Sequence, residues 1–179
     1  MDEFFDFHCS VIDEMLRISN TIFYNISIVT GSKRAFFKII GKYSDYLKDI
    51  IIWDKSYGQP AMQNGVLNRQ IELILIFQQS ENAIKRQFDK YNFERGTLND
   101  LWTIKRQKIK NTKHGATFPE ELVEKIILNF SNEGDLVYDP FSGIGTTAVV
   151  CKKTNRKYIC SEISQDYIDI TNKRLKGEL

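Results

Sequence analysis

The sequence predicts an α/β protein whose helices pack against a largely parallel β-sheet. Two observations carry this prediction. Segments with strand character alternate with segments of helical periodicity along the 179 residues of the chain. Towards the C-terminus, an apolar strand passes through a turn with two glycines directly into a helix, which is the connection that leads from a parallel strand to its crossover helix.

The first half of the chain alternates between helices and strands. Apolar residues recur at helical spacing in the predicted helices, and β-branched and aromatic residues fill the predicted strands. Turn residues such as Gly31, Gly58 and Gly65 separate these segments. The predicted elements are a helix over residues 4–18, a strand over 22–29, a helix over 33–48, and strands near 50–54 and 71–78.

The second half follows a polar stretch over residues 79–104. Thr117 is the predicted N-cap of its first helix, and Glu120, three residues later, completes a capping box. The predicted elements are a helix over residues 119–130, a strand over 135–139, a helix over 146–153, a strand over 157–162 and a helix over 165–176.

Length and composition indicate one globular domain. The chain is 42% hydrophobic and 27% charged, as is usual for soluble proteins. No apolar run reaches the roughly 18 residues of a membrane span, and the acidic N-terminus lacks the basic start of a signal peptide. Cys9, Cys151 and Cys160 are scattered and odd in number, which suits a reducing cytosol, and they lack metal-ligand spacing. The sequence therefore predicts a cytoplasmic protein without a membrane or metal partner.

The turn with two glycines carries the most informative motif of the chain. Gly143 and Gly145 permit backbone conformations and a close approach that a Cβ atom would block. The motif resembles the S-adenosylmethionine loop of the DNA amino-methyltransferases, which methylate an exocyclic nitrogen of adenine or cytosine. It consists of Asp139-Pro140-Phe141-Ser142-Gly143-Ile144-Gly145-Thr146-Thr147.

Four further blocks resemble the same family. The His-Gly-Ala-Thr-Phe-Pro segment over residues 114–119 matches the one that leads into a helix beside the methionine part of the cofactor. Glu162 ends a strand about twenty residues beyond the glycines, where an acid accepts hydrogen bonds from a ribose. Residues 50–55 and 68–77 match two family strands, so the motif order is that of the β class. The resemblance implies a Rossmann-like methyltransferase sandwich.

The resemblance also implies the cofactor, S-adenosylmethionine, and the residues that bind it. Phe118 would line the methionine pocket, and Glu162 would hold the ribose. The hydroxyl and N–H groups of Thr146 and Thr147 would bind the cofactor carboxylate at a helix N-terminus. Asp139 would order the loop or contact the ligand amine. The full predicted set is Phe118, Pro119, Asp139, Phe141, Gly143, Gly145, Thr146, Thr147 and Glu162.

The catalytic motif of the family is absent from this sequence. That motif is Asp, Asn or Ser followed by Pro-Pro and an aromatic residue, whereas Pro60, Pro119 and Pro140 are all isolated. No residue is therefore assigned to catalysis, and the sheet is predicted to lack its central catalytic strand. Three interpretations follow: an incomplete methyltransferase completed by a partner polypeptide or a homodimer, a non-catalytic cofactor- or DNA-binding module, and a decayed fragment.

A basic run precedes the Phe-Pro block. A net charge of +2 is too small to indicate nucleic-acid binding, but the local concentration of cations can neutralise several phosphates of double-stranded DNA. Family frequency favours adenine over cytosine as the target. The predicted single domain over residues 1–179 comprises the rest of the catalytic half (1–78), a short target-recognition and basic segment (79–113) and the cofactor half (114–179). The predicted DNA-binding residues are Lys105, Arg106, Lys108, Lys110 and Lys113.

Overall fold

A computed structural model describes residues 2–28, 31–59, 61, 63–107 and 117–178. The chain folds into two compact units. The first unit comprises Met1–Asp89 and Asn99–Thr103, and the second unit comprises Lys90–Leu98 and Ile104–Leu179.

The first unit is built on a four-stranded sheet with the order β1-β3-β2-β4. Strand β3 is antiparallel to both of its neighbours, and β2 is parallel to β4. The elements are α1 (Asp2–Ile18), β1 (Thr21–Ile26), α2 (Lys33–Lys42), a 3₁₀ turn (Ser44–Tyr46), β2 (Leu47–Gln59), β3 (Arg69–Gln78), α3 (Ser80–Ala83) and β4 (Leu101–Thr103).

One face of this sheet carries the core of the first unit. Ile12 of α1 and Ile39 of α2 are fully buried against Leu75 and Phe77 of β3. The phenol of Tyr43, also buried, donates hydrogen bonds to the carbonyl oxygen of Cys9 at 2.9 Å and to the carboxylate of Asp13 at 2.7 Å.

Two predictions about the first unit need correction. Helix α2 ends at Lys42, whereas the predicted helix extended to residue 48, because Tyr43 leaves the helical conformation at φ −105°, ψ 21° and packs against α1. The larger sheet is mixed, whereas a largely parallel sheet was predicted. Strands β2 and β3 are joined without a crossover helix, and only antiparallel strands can be connected in that way.

The second unit contains a strand–helix–strand–helix succession. Strands β5 and β6 are parallel, with Asp139 opposite Cys160, so the loops after both strands meet at one edge of the sheet. Val137 packs with residues of α4 and α5, which include Val123 and Val150. The elements are α4 (Glu120–Phe130), β5 (Leu136–Asp139), α5 (Thr146–Lys153), β6 (Lys157–Cys160) and α6 (Gln165–Lys176).

Two structural findings bear on partners. Among the residues that the structure describes, no helix combines the length and apolar character that crossing a membrane requires. The same ranges hold no group of three or more His, Cys, Asp or Glu side chains placed to bind a metal ion.

Candidate functional site

The turn between β5 and α5 adopts the geometry for which its glycines were predicted. Gly143 has φ 52° and Gly145 has φ 75°, both in the left-handed region that glycine adopts without a Cβ penalty. A Cβ atom on Gly145 would lie only 2.3 Å from Cγ2 of Thr171 in α6. Gly145 is therefore required both by its backbone conformation and by the close packing of α6 against the turn.

Asp139 organises the start of this turn. One carboxylate oxygen accepts a hydrogen bond from the hydroxyl of Thr147 at 2.6 Å, and the other accepts one from the N–H of Phe141 at 3.1 Å. These contacts hold the strand end, the turn and the first turn of α5 together. They correspond to loop ordering, one of the two roles considered for Asp139.

Glu162 holds the centre of the turn from the neighbouring strand end. Its carboxylate accepts a hydrogen bond from the N–H of Gly143 at 2.8 Å and a second from the N–H of Ser164 at 2.9 Å. Each carboxylate oxygen has a further lone pair, so this half-buried side chain retains capacity to accept hydrogen bonds from hydroxyl groups of a ligand.

The two threonines of α5 direct their hydroxyls into the protein. Thr147 donates to Asp139, whereas the buried Thr146 accepts a hydrogen bond from Arg174 at 3.3 Å. Both hydroxyls that were predicted to face the cofactor thus have internal partners. What the N-terminus of α5 offers a ligand is its backbone N–H groups, because the first turn of a helix has no intrahelical acceptor for them.

Sequence reasoning missed Arg174, a buried cation of the second unit. Its guanidinium donates to the carbonyl oxygen of Ile144 at 2.6 Å and to Oε1 of Glu120 at 2.9 Å, with only 4% of the side chain exposed. Tyr167, Thr171 and Arg174 share one face of α6 by their helical spacing. That spacing was visible in the sequence, but polar residues on a C-terminal helix ordinarily indicate a solvated face.

Glu120 anchors the start of α4 differently from the prediction. The capping box was wrong: α4 begins at Glu120 with Pro119 as N-cap, and no side chain caps it at that position. The N–H of Glu120 donates to the side-chain oxygen of Gln107 at 3.3 Å, and its carboxylate pairs with Arg174 and with Lys153. Burial by itself would raise the pKa of the Glu120 carboxyl, but hydrogen bonds and charge from Lys153 and Arg174 lower it below the ordinary value.

The lowered pKa of Glu120 makes a contribution to stability that depends on pH. Because the pKa is lower in the folded state, this contribution is fully present above the ordinary value of 4.5 and is lost as the pH falls through the folded-state pKa. We expect Glu120→Gln to be less stable than the wild type in urea unfolding at pH 7, with the difference vanishing at acidic pH. An equal difference at both pH values would contradict the charge-pair explanation.

The remaining predicted residues differ in exposure. Pro119 is buried, whereas Phe118 is 40% and Phe141 58% exposed. Lys105 and Arg106 are exposed. Residues 114–116 and the predicted DNA contacts Lys108, Lys110 and Lys113 lie outside the described residues.

Comparison with known proteins identifies the family. A family model described as DNA methylase matches residues 1–173. The type II methyltransferase M.Cfr9I of Citrobacter freundii is 32% identical over 139 residues, which cover 74% of this chain and 45% of the relative. The orphan methyltransferase M.BamHII of Bacillus amyloliquefaciens is 49% identical over 90 residues, which cover 47% of this chain and 34% of the relative. The chain thus spans less than half the length of these curated relatives.

Solved structures share the fold. The PvuII DNA methyltransferase, named as cytosine-N4-specific, superposes with a TM-score of 0.73 at 17% identity, over 98% of this chain and 78% of the other. The complex of M1.HpyAVI with SAM superposes with a TM-score of 0.61 at 25% identity, over 87% of this chain and 73% of the other. The predicted α/β, Rossmann-like class is confirmed, and the chain belongs to the DNA methyltransferases that act on adenine N6 or cytosine N4.

Proposed function

We propose that the second unit binds S-adenosylmethionine at the turn between β5 and α5, and that the protein methylates the exocyclic amine of a base in DNA. The observation that carries this proposal is the fixation of a left-handed glycine turn by two acids, Asp139 and Glu162. Such a turn, at the carboxyl edge of a parallel strand pair and before a helix N-terminus, suits an adenosyl ligand with a charged tail.

The residues around the turn divide the binding between them. Glu162 accepts hydrogen bonds from the ribose hydroxyls, and the N-terminal N–H groups of α5 bind the carboxylate. Phe118, Pro119 and Phe141 provide apolar contact for the methionine and adenine parts. The cofactor supplies an activated methyl group, and the protein supplies its position.

Catalysis requires a segment that this sequence does not contain. We propose that the Pro-Pro-aromatic motif, and the strand that carries it, complete the sheet from a complementing polypeptide or another part of the full protein, with a homodimer as the alternative arrangement. Two observations support this. No two prolines are adjacent in the chain. Among the described residues, β1 pairs only with β3 and β5 only with β6, so each has an edge without a strand neighbour.

Double-stranded DNA is the proposed substrate, and adenine is the proposed target, on the frequency of adenine enzymes in the family. Lys105 and Arg106 are exposed and begin the basic run. We propose that this run, including Lys108, Lys110 and Lys113, contacts phosphates, and such contacts make binding weaken as the salt concentration rises.

Calorimetric titration with S-adenosylmethionine tests the cofactor site. We expect one-to-one binding by the wild type and none by Gly143→Asp, because an aspartate there strains the turn at φ 52° and brings a second carboxylate to Glu162. Gly134→Asp is the matched control, since Gly134 has φ 82° in open space within the same unit. Equal affinity of Gly143→Asp and the wild type would reject this site.

Methyl transfer to DNA separates the alternatives. Transfer that appears only with a co-produced Pro-Pro-aromatic segment supports a completed enzyme, and mass spectrometry of the nucleosides then distinguishes adenine from cytosine. Cofactor binding without transfer under complementation supports a non-catalytic module. A chain with native-like secondary structure but without fixed tertiary packing supports a decayed fragment.

A further inference from the structure

A lysine in the first unit closes a loop within the segment predicted for target recognition, residues 79–113. The ammonium group of Lys48, on β2, donates to the carbonyl oxygens of Asn82 at 2.9 Å and Gln87 at 2.7 Å, and also to that of Lys85. These are the three hydrogen bonds that an ammonium group can donate. Burial lowers the pKa of Lys48, as expected for an ammonium partly removed from water.

Further contacts make this loop a defined structure. The ring centroid of Phe88 lies 5.4 Å from the Lys48 nitrogen, within the range of a cation–π contact. The amide of Asn82 donates to the carboxylate of Asp89 at 2.7 Å, and its oxygen accepts from the side chain of Lys85 at 2.6 Å. The Lys48 ammonium therefore lies at the centre of a loop that is closed on itself.

The tip of this loop presents four side chains to solvent. Ile84 is 84% exposed, and Lys85, Arg86 and Gln87 are exposed beside it. Arg86 makes no ion pair with the described part of the chain. The guanidinium group of arginine pairs bidentately with the guanine edge, and the amide group of glutamine pairs bidentately with the adenine edge. An apolar side chain beside them can contact a thymine methyl group or insert between stacked bases.

We propose that residues 84–87 are a preformed DNA-reading tip, in which Arg86 and Gln87 contact base edges and Ile84 packs on the bases. Lys48 is the positioning residue: it contacts no DNA but fixes the three carbonyl groups that support the tip. A tip that is fixed before binding loses less conformational entropy when it contacts DNA. The hydrogen bonds of Lys48 therefore hold Arg86 and Gln87 in the geometry that distinguishes one base sequence from another. This inference rests on the proposed function, since it requires DNA as the substrate.

Binding selection from a random duplex library tests the role of the tip. The selected duplex and a scrambled duplex of equal composition then give a ratio of dissociation constants for each variant. We expect Arg86→Ala to reduce this ratio about tenfold or more while changing affinity for the scrambled duplex little. The control is Arg34→Ala, at another exposed arginine, on α2 of the same unit, which should leave the ratio unchanged.

Substitution of Lys48 tests the positioning role. We expect Lys48→Met to reduce the ratio about as much as Arg86→Ala, and Lys48→Arg, which retains several N–H donors, to restore most of it. Lys42→Met is the control for loss of an exposed cation in the same unit. A merely structural lysine would lower thermal stability without altering the ratio well below the unfolding temperature.

The outcomes separate this inference from the proposed function. A wild-type chain that binds no DNA rejects both the reading tip and the proposed DNA contacts, whereas a wild-type chain that binds DNA but enriches no sequence rejects the reading tip alone. A wild-type chain that discriminates, together with Arg86→Ala and Lys48→Met variants that discriminate equally well, rejects the reading tip alone. Loss of discrimination in both variants, with recovery in Lys48→Arg, supports it.

Discussion

Gly145→Ala is expected to destabilise the protein and to reduce S-adenosylmethionine binding below calorimetric detection. Alanine in a left-handed conformation costs about 1–2 kcal/mol, and overpacking adds about 1–3 kcal/mol. The overpacking arises because the new methyl group would lie 2.3 Å from Cγ2 and 2.6 Å from Oγ1 of Thr171. Relief of this clash requires α6 or the turn to move, and the turn is the proposed cofactor site.

Urea unfolding and calorimetric titration measure the two effects. Gly134→Ala is the matched control, because Gly134 has φ 82° but no atom within 4 Å of the place that an added methyl group would occupy, so it isolates the backbone cost. Addition of Thr171→Ala to Gly145→Ala removes the two side-chain atoms nearest the new methyl group and should recover part of the stability. Equal losses in Gly145→Ala and Gly134→Ala would contradict the packing argument.

Arg174→Met is expected to lower the free energy of unfolding by about 1–3 kcal/mol, the usual cost of leaving a buried hydrogen-bond acceptor without its donor. The methionine fills most of the volume but leaves the carbonyl oxygen of Ile144 and one oxygen of Glu120 without their donor. Since Ile144 lies between the two glycines of the turn, we also expect weaker cofactor binding.

Lys173→Met is the control that distinguishes the loss of a buried cation from the loss of an exposed one. Lys173 is an exposed cation in the adjacent position of α6, and its loss should change stability by less than about 0.5 kcal/mol. Thermal and urea unfolding of both variants measure the difference. Similar stability of Arg174→Met and Lys173→Met would show that the buried guanidinium contributes nothing specific.

Local sequence was sufficient for the elements around the turn. Helices α5 and α6 begin and end as predicted, at Thr146–Lys153 and Gln165–Lys176. Glycine in the left-handed conformation lies immediately before the first helix and immediately after the second, at Gly145 and Gly177. Such signals act within a few residues and can be read without knowledge of the tertiary structure.

Local sequence was insufficient where distant residues decide the structure. The end of α2 depends on Tyr43, which reaches Cys9 and Asp13 more than 25 residues away along the chain. The antiparallel placement of β3 depends on its pairing with both β1 and β2. The packing of Tyr43 against α1 ends the helix at Lys42, six residues before its predicted end.

The residues of the candidate site were likewise only partly predictable from local sequence. The family resemblance identified Asp139, Gly143, Gly145 and Glu162. The structure places both glycines in one turn, whose N–H groups donate to the two acids. The resemblance did not identify Thr171 or Arg174, which reach the turn from a helix about thirty residues later. Their side chains are polar, and nothing in the sequence distinguishes a buried polar face from a solvated one.

By itself, the sequence determined the family, the glycine turn and the helices that flank it, because motif, turn chemistry and helix caps are encoded in neighbouring residues. Only the tertiary structure decided that Arg174 and Glu120 support the turn, that the hydroxyls of Thr146 and Thr147 face inward, and that Lys48 closes the loop over residues 82–89. The physical reason is that a buried polar group must find a partner, and its partner is chosen by proximity in space.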